Sequence, residues 1–253
     1  MKRLATAALV VVLSSAVSGQ DQFEVASVKR VTNNEGILTI NYAPERFEAL
    51  MLLRHIIGEA YGIRDFQLVG GPGWIRSDYF QVLAKTPGKA SRADVRRMLQ
   101  NLLAERFGLN VHSETKAGPA YELRLARNDG RLGPQLSKSE IDCAALGPNP
   151  PSVPPSSKAW CGLRGTGSLR ITGQGATMSQ LAGLLSTFAE RLVMDETGLP
   201  GGYDFEFKFA DPANASASWV GTALEDQLGL KLTATKRPVE FLVIDQVQPP
   251  APD

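Results

Sequence analysis

The chain has 253 residues, is 43% hydrophobic and 21% charged, and carries a formal net charge of +1. That length suffices for one large or two small domains whose cores need neither a structural metal nor many disulfides. The near-balance of charge argues against a nucleic-acid partner, which calls for a basic stripe, and the densest basic run, Arg92, Arg96 and Arg97, reads as a solvated helix face.

Residues 1–19 have the form of an export leader. Lys2 and Arg3 start it, Leu4 to Val12 supply an apolar stretch, and Ser14 to Gly19 a small-residue exit with cleavage expected near Ser18 or Gly19. Loss of Lys2 and Arg3 turns the net charge of +1 into −1. The apolar stretch is shorter than the roughly 20 residues that span a bilayer, and no later segment approaches that length, so no transmembrane segment is expected in the mature chain.

An N-terminal α+β unit is expected over 20–127. Phe23 to Lys29 alternates as a strand with Phe23 and Val25 on one face, and Ile37 to Tyr42 alternates likewise. Phe47, Leu50, Met51, Ile57 and Tyr61 recur at helical intervals, with Gly62 as the stop. Phe66 to Val69, the turn from Gly70 to Gly73 and Tyr79 to Ala84 predict a strand, a tight loop and a strand. Ser91 with Asp94 resembles a capping start. Val95, Met98, Leu99, Leu102, Leu103 and Phe107 then form the apolar stripe of a long helix that ends at Gly108. Leu109 to Thr115 and Tyr121 to Ala126 predict a hairpin across Lys116 to Ala120.

Residues 128–166 break the pattern. Pro148, Pro150, Pro151, Pro154 and Pro155 deny helix and central strand, and the stretch is expected to be a linker. Cys143 and Cys161 lie within it, eighteen positions apart, and in an exported protein such a pair is expected to close as a disulfide that pins the linker. Trp160 is expected to pack on that bridge.

A C-terminal α+β unit is expected over 167–248, with a tail at 249–253. The same order of elements returns: strand 168–172, helix 179–191, a short strand near Val193, a glycine-rich turn, strand 203–209 and a helix through Val220 to Leu228. A final hairpin, 230–235 with 239–247, closes it. FGLNVHSETKAGPAYELRLA at 107–126 aligns with LGLKLTATKRPVEFLVIDQ at 228–246 after a small gap, which reads as an internal repeat. The expected fold class is therefore α+β: two tandem related units, each a small mixed sheet carrying two helices.

The strings FEVASVK, AYGIRDFQLVGGPGW, MLQNLLAERFGLNVHSETK, MDETGLPGGYDFEF, ALEDQLGLKL and VEFLVIDQVQPP closely resemble an uncharacterised family of secreted acidobacterial proteins of the Solibacter type. The resemblance spans nearly all of the mature chain and implies secretion, but no activity. The element order in each half, best at Gly175 to Asp245, also resembles the short N-terminal domain of secretins and TonB-dependent receptors. That likeness implies a non-catalytic periplasmic interaction module. Related domains are attached to membrane-bound sensor peptidases, yet this chain has no matching membrane or metallopeptidase segment.

Chemistry-bearing motifs are sparse, and none identifies a catalytic residue. His55 on the first helix and His112 in a strand sit in no ligand pattern, so neither a metal nor another cofactor is expected. Ser113 to Lys116 spells Ser-x-x-Lys, with Ser77-Asp78 and Lys85-Thr86 faintly echoing the companion motifs of penicillin-recognising enzymes. The order is wrong, and Ser113 lies at a strand end rather than a helix start. Gly173-Gln174-Gly175 lacks the third glycine of a phosphate loop. Asp195-Glu196 and the alternating Asp204 and Glu206 read as solvated acids. Asn214 to Ser216 forms a glycosylation sequon that is uninformative in a bacterial protein.

The expectation is an exported, non-catalytic binding or interaction protein of the cell envelope or exterior, whose partner is an unknown envelope protein or a polymer. Trp74 and Trp219 are the candidate anchors of its binding surface, the competing reading being that each covers the core of its half. An enzyme with a family-specific site and an extracytoplasmic sensor partner of a membrane protein are the alternatives.

Overall fold

The computed structural model describes residues 21–32, 39–141, 143, 160–166, 170–208 and 221–250. They form a mixed α+β fold with three four-stranded sheets. The chain divides into two compact units that do not follow the expected halves. One takes the residues up to Gly62, Pro72–Asn110 and those from Gln246, and the other takes Ile63–Gly71 and Val111–Asp245.

In the first unit, β1 (Val25–Val31), β2 (Thr39–Ala43) and β3 (Arg46–Leu52) precede helix α1 (Leu53–Tyr61). Strand β4 (Leu68–Gly70) then leaves for the other unit, and β5 (Tyr79–Lys85) and α2 (Arg92–Phe107) return. The sheet runs β1-β5-β3-β2, antiparallel throughout. Its inward residues, Val28, Phe47, Ala49, Phe80 and Val82, are buried together with Leu53, Ile56 and Ile57 of α1 and Leu99, Leu103 and Phe107 of α2. The rings of Phe80 and Phe107 meet edge to face, 5.1 Å apart, which places α2 on the sheet. Ser91 and Asp94 form the expected reciprocal cap, and Gly62 and Gly108 end their helices in the left-handed conformation.

Two local expectations change here. The helix expected from Phe47 begins at Leu53, because 46–52 is a strand flanked by β2 and β5 with Phe47 and Ala49 buried at alternate positions. A short apolar run fits both periods, and neighbours on two sides decide between them. In β1 the inward residue is Val28, while Val25 is 63% exposed and Phe23, ahead of the strand, stacks on Phe47.

The second unit contains β6 (Asn110–Leu125), β7 (Leu136–Lys138), β8 (Gly162–Thr166) and β9 (Arg170–Ala176), then α3 (Met178–Ala189), β10 (Leu192–Asp195), β11 (Tyr203–Lys208) and β12 (Leu230–Gln246). A short π-helical segment, Leu224–Leu228, precedes β12. Neither expected hairpin forms: 110–125 and 230–246 are each one long strand, adjacent in the sheet β10-β6-β12-β4. His112 meets Asp245, and the Ala126 N–H donates to the Gly229 carbonyl, so the two run antiparallel along nearly their full length. Pro119 and Pro238, taken as turn residues, lie inside these strands. Each precedes the stretch where a second neighbour joins, at Ala120 for β10 and at Leu242 for β4, so its missing N–H falls where the strand has one neighbour.

The strands that join do so crosswise. Strand β4, which follows α1, pairs in parallel with β12, whereas β10, which follows α3, pairs in parallel with β6. The third sheet, β7-β11-β9-β8, takes both β7 and β8 from the 128–166 stretch expected to be a linker. One core joins Leu136, Ile171, Phe205 and Phe207 of this sheet with Leu181 and Leu185 of α3, Leu228 of the π-helical segment, Val193 of β10 and Leu123 of β6. Ser186, buried in α3, donates to the Ala182 carbonyl and accepts from the Val193 N–H, so its hydroxyl is satisfied while fastening β10 to the helix.

On the long strand pair, Glu122 is nearly enclosed and accepts hydrogen bonds from Arg237 and Arg124. These bonds, Arg237's first, hold its carboxyl below the usual carboxylate range. A carboxyl whose pKa falls on folding contributes stability above its unfolded value and loses it as pH drops through the folded value. Acid is therefore expected to destabilise the protein progressively below about pH 4.5, and Glu122→Gln to flatten that dependence in urea unfolding followed from about pH 7 to about pH 3. In the first unit, Leu99 is fully buried. Leu99→Ala is expected to cost about 2–5 kcal/mol in denaturant unfolding.

Candidate functional site

Alternation along β9 and β11 gives the third sheet two chemically distinct faces. Ile171, Gly173, Phe205 and Phe207 point into the core, while Thr172, Gln174, Asp204 and Glu206 stand half-buried on the outer face. Register sets these in rows. Glu206 lies opposite Thr172, which lies opposite Arg164 of β8, and Asp204 lies opposite Ser137 of β7. A β-bulge between Tyr203 and Phe205 turns Asp204 toward the end of β9, where its Oδ1 accepts the Gly175 N–H at 2.8 Å.

Trp160 borders this polar face. Its backbone N–H donates to Gln174 Oε1 at 2.8 Å, and the Arg164 guanidinium sits 4.3 Å from the centre of its ring. Together Trp160, Gln174, Thr172, Asp204, Glu206 and Ser137 line an open groove of about 370 Å³, with Pro134 and Gln135 at its margin. Glu206 forms ion pairs with Lys208 at 2.8 Å and Arg170 at 3.5 Å, and its carboxyl is held below the usual range first by the hydrogen bond from Lys208. The hydroxyls of Ser137 and Thr172 and the side-chain amide of Gln135 make no hydrogen bond among the described residues.

The disulfide between Cys143 and Cys161 is closed, with Cα atoms 5.8 Å apart. It sits against the end of β9, with Cys143 Sγ 3.9 Å from the Gln174 carbonyl oxygen. Gly175, at φ +57°, has no room for a Cβ because Cys143 Sγ fills that place, and a Cβ on Gly173 would enter the Phe205 ring. The Gly-Gln-Gly string is thus set by packing on both sides of β9 rather than by a phosphate. A cross-link closing a loop of this size stabilises a fold by about 3 kcal/mol in the chain-entropy model, and here it fixes the residue next to Trp160.

Of the residues singled out from sequence, Trp160, Gln174, Asp204 and Glu206 meet at this groove, and the others lie elsewhere. Trp74 occupies a short 3-10 turn, half-buried, with its ring 6.2 Å from Phe80 in the core of the first unit. Trp219 and the sequon at Asn214 fall outside the described residues. His112 bonds Asp245 at 2.9 Å on the surface of the long strand pair. Ser113 lies within β6, where Lys116 pairs with Glu114 at 2.7 Å, so the Ser-x-x-Lys string is strand rather than helix start. Ser77 donates to the neighbouring Asp78 carboxylate, whose other oxygen Arg30 binds at 2.7 Å. Asp195 is consumed by Thr197 and Ser179 in a turn. Among the described residues no His, Cys, Asp and Glu converge as a metal site, and no helix is long and apolar enough to cross a membrane.

A second groove, of about 320 Å³, lies in the first unit beside the outer edge of β1 and is lined by Phe23, Val25, Met98, Asn101, Leu102 and Arg106. Its walls are an edge strand and the flank of α2, and its polar side chains are largely partnered: Glu24 with Lys85, Glu105 with Arg106, and Asn101 with the Asp21 carbonyl. The signal for the face around Trp160 was present in the alternating Thr172/Gln174 and Asp204/Glu206 pairs. What joins them is the pairing of β9 with β11, which no local pattern specifies.

No curated protein and no solved structure gives a significant match. A family model described as "Protein of unknown function (DUF3738)" matches residues 54–247. Covering more than half of the chain and every strand of the groove, that match shows that the chain belongs to this family of unknown function.

Proposed function

We propose that this chain is an exported, non-catalytic binding protein of the cell envelope or exterior, and that it engages its ligand on the outer face of the sheet β7-β11-β9-β8. The observation that carries the reading is the groove itself. An aromatic ring, two carboxylates, an amide and two hydroxyls converge on a rigid sheet, and a disulfide holds the aromatic end. Such a surface offers many directional contacts but no nucleophile held against a base. The leader-like residues 1–19 and the closed cysteine pair support export, since disulfides persist in oxidising compartments. The likeness of its motifs to secreted acidobacterial proteins supports the same placement.

Two measurements test it. Expressed in a bacterial host, the full chain is expected to leave the cytoplasm and to begin at Gly19 or Gln20 by intact-mass spectrometry. Protein that retains Met1 and stays in the cytosol overturns export. The labelled mature chain is expected to bind an envelope or exopolymer fraction saturably, and Trp160→Ala to weaken that binding at least tenfold, about 1.4 kcal/mol, with unchanged circular dichroism. An unaltered isotherm removes the groove as the binding surface.

A further inference from the structure

We infer that the groove around Trp160 takes a neutral saccharide chain; this rests on the binding-protein reading above and names its ligand class. A sugar ring presents two kinds of surface at once, flat patches of C–H and a rim of hydroxyls that both donate and accept. The groove matches both. The half-buried Trp160 offers an apolar ring beside the outer face, and the Arg164 guanidinium held 4.3 Å from its centre keeps that ring in place. Around it the polar groups are mixed in sense. Asp204 and Glu206 are acceptors, Ser137 and Thr172 are hydroxyls that do either, and the Gln135 amide carries both.

Charge narrows the class. Glu206 is already neutralised by Lys208 and Arg170, and Asp204 spends Oδ1 on the Gly175 N–H. The cations of the described face are already engaged, Lys208 and Arg170 by Glu206 and Arg164 by the Trp160 ring, so none of them is left to hold a phosphate or uronate polymer. The outward residues of β9 and β11 are polar, so a lipid chain or an apolar peptide side chain finds no bed to lie on. What remains complementary is an uncharged, hydroxyl-rich chain.

The site is also built in advance. Gly173 packed on the Phe205 ring, Gly175 packed on Cys143, and the disulfide beside Trp160 fix the platform before any ligand arrives, which lowers the ordering cost of binding. Asp204 then accepts a sugar hydroxyl on Oδ2, the oxygen that Gly175 does not occupy, and Trp160 supplies the stacking surface.

The test is calorimetric titration of the mature, oxidised protein with cellohexaose, xylohexaose, mannohexaose and chitohexaose, beside polygalacturonate and an uncharged extended peptide as controls. At least one neutral hexasaccharide is expected to bind. Trp160→Ala is expected to weaken it tenfold or more, Asp204→Asn threefold or more, and Trp160→Phe less than Trp160→Ala, each with an unfolding midpoint near that of the parent protein. Removing the bridge by Cys143→Ser with Cys161→Ser is expected to weaken binding while Trp160 remains. Failure of all four neutral sugars to bind, or binding indifferent to Trp160 and Asp204, overturns the proposal. If polygalacturonate or the peptide binds instead and responds to Trp160→Ala, the saccharide assignment falls while the binding-protein reading stands. If nothing binds and envelope fractions are likewise ignored, both fall.

Discussion

Two long strands, Asn110–Leu125 and Leu230–Gln246, lie antiparallel at the centre of the second unit, and the remaining architecture is arranged around that ladder. Each offers a free edge over part of its length, and each edge is filled from the opposite half of the sequence: Leu68–Gly70 on one, Leu192–Asp195 on the other. Unfilled, these edges would present rows of unpaired N–H and C=O groups, the usual template for aggregation. Crosswise pairing covers these edges at Ala120–Leu123 and Leu242–Ile244 and ties Leu68–Gly70 to a partner more than a hundred residues away. It also explains why the compact units interleave along the chain instead of following one another.

The groove depends on this arrangement at one remove. The third sheet packs its apolar face on α3, the π-helical segment and the ladder, so its other face is left to water and to whatever binds there. That outer face carries carboxylate, amide and hydroxyl groups, and the core face supplies the rigidity that makes their spacing constant. Glycines at 173 and 175 allow an aromatic ring on one side and a disulfide sulfur on the other to approach the backbone of β9 directly. Substituting either would distort the strand that carries Thr172 and Gln174.

How legible this was in the sequence depended on the range of the signals. Helix α2 was read almost residue for residue, because Ser91, Asp94, the apolar stripe and Gly108 are all local and agree with one another. The mixed α+β class and the cysteine bridge followed from composition and spacing. Lys116 to Ala120 and Lys236 to Pro238 carry genuine turn residues, yet long-range pairing overrides them, and no window of sequence around Pro119 contains the information that Leu230–Gln246 is its neighbour. Trp160 reads from sequence as packing on the cysteine bridge because it adjoins Cys161. Its place beside the polar face comes from β8 joining β9, a contact outside the reach of periodicity.

The crossed strands bear on how the protein comes to be made. The hydrogen-bonding partner of Leu68–Gly70, Leu242–Ile244, leaves the ribosome more than a hundred residues after it. This sheet therefore cannot close from front to back as the chain emerges, and everything between the two segments must be available first. On the export route proposed above, a polypeptide kept waiting in this way would cross extended and fold on the far side, where an oxidant could also join Cys143 to Cys161.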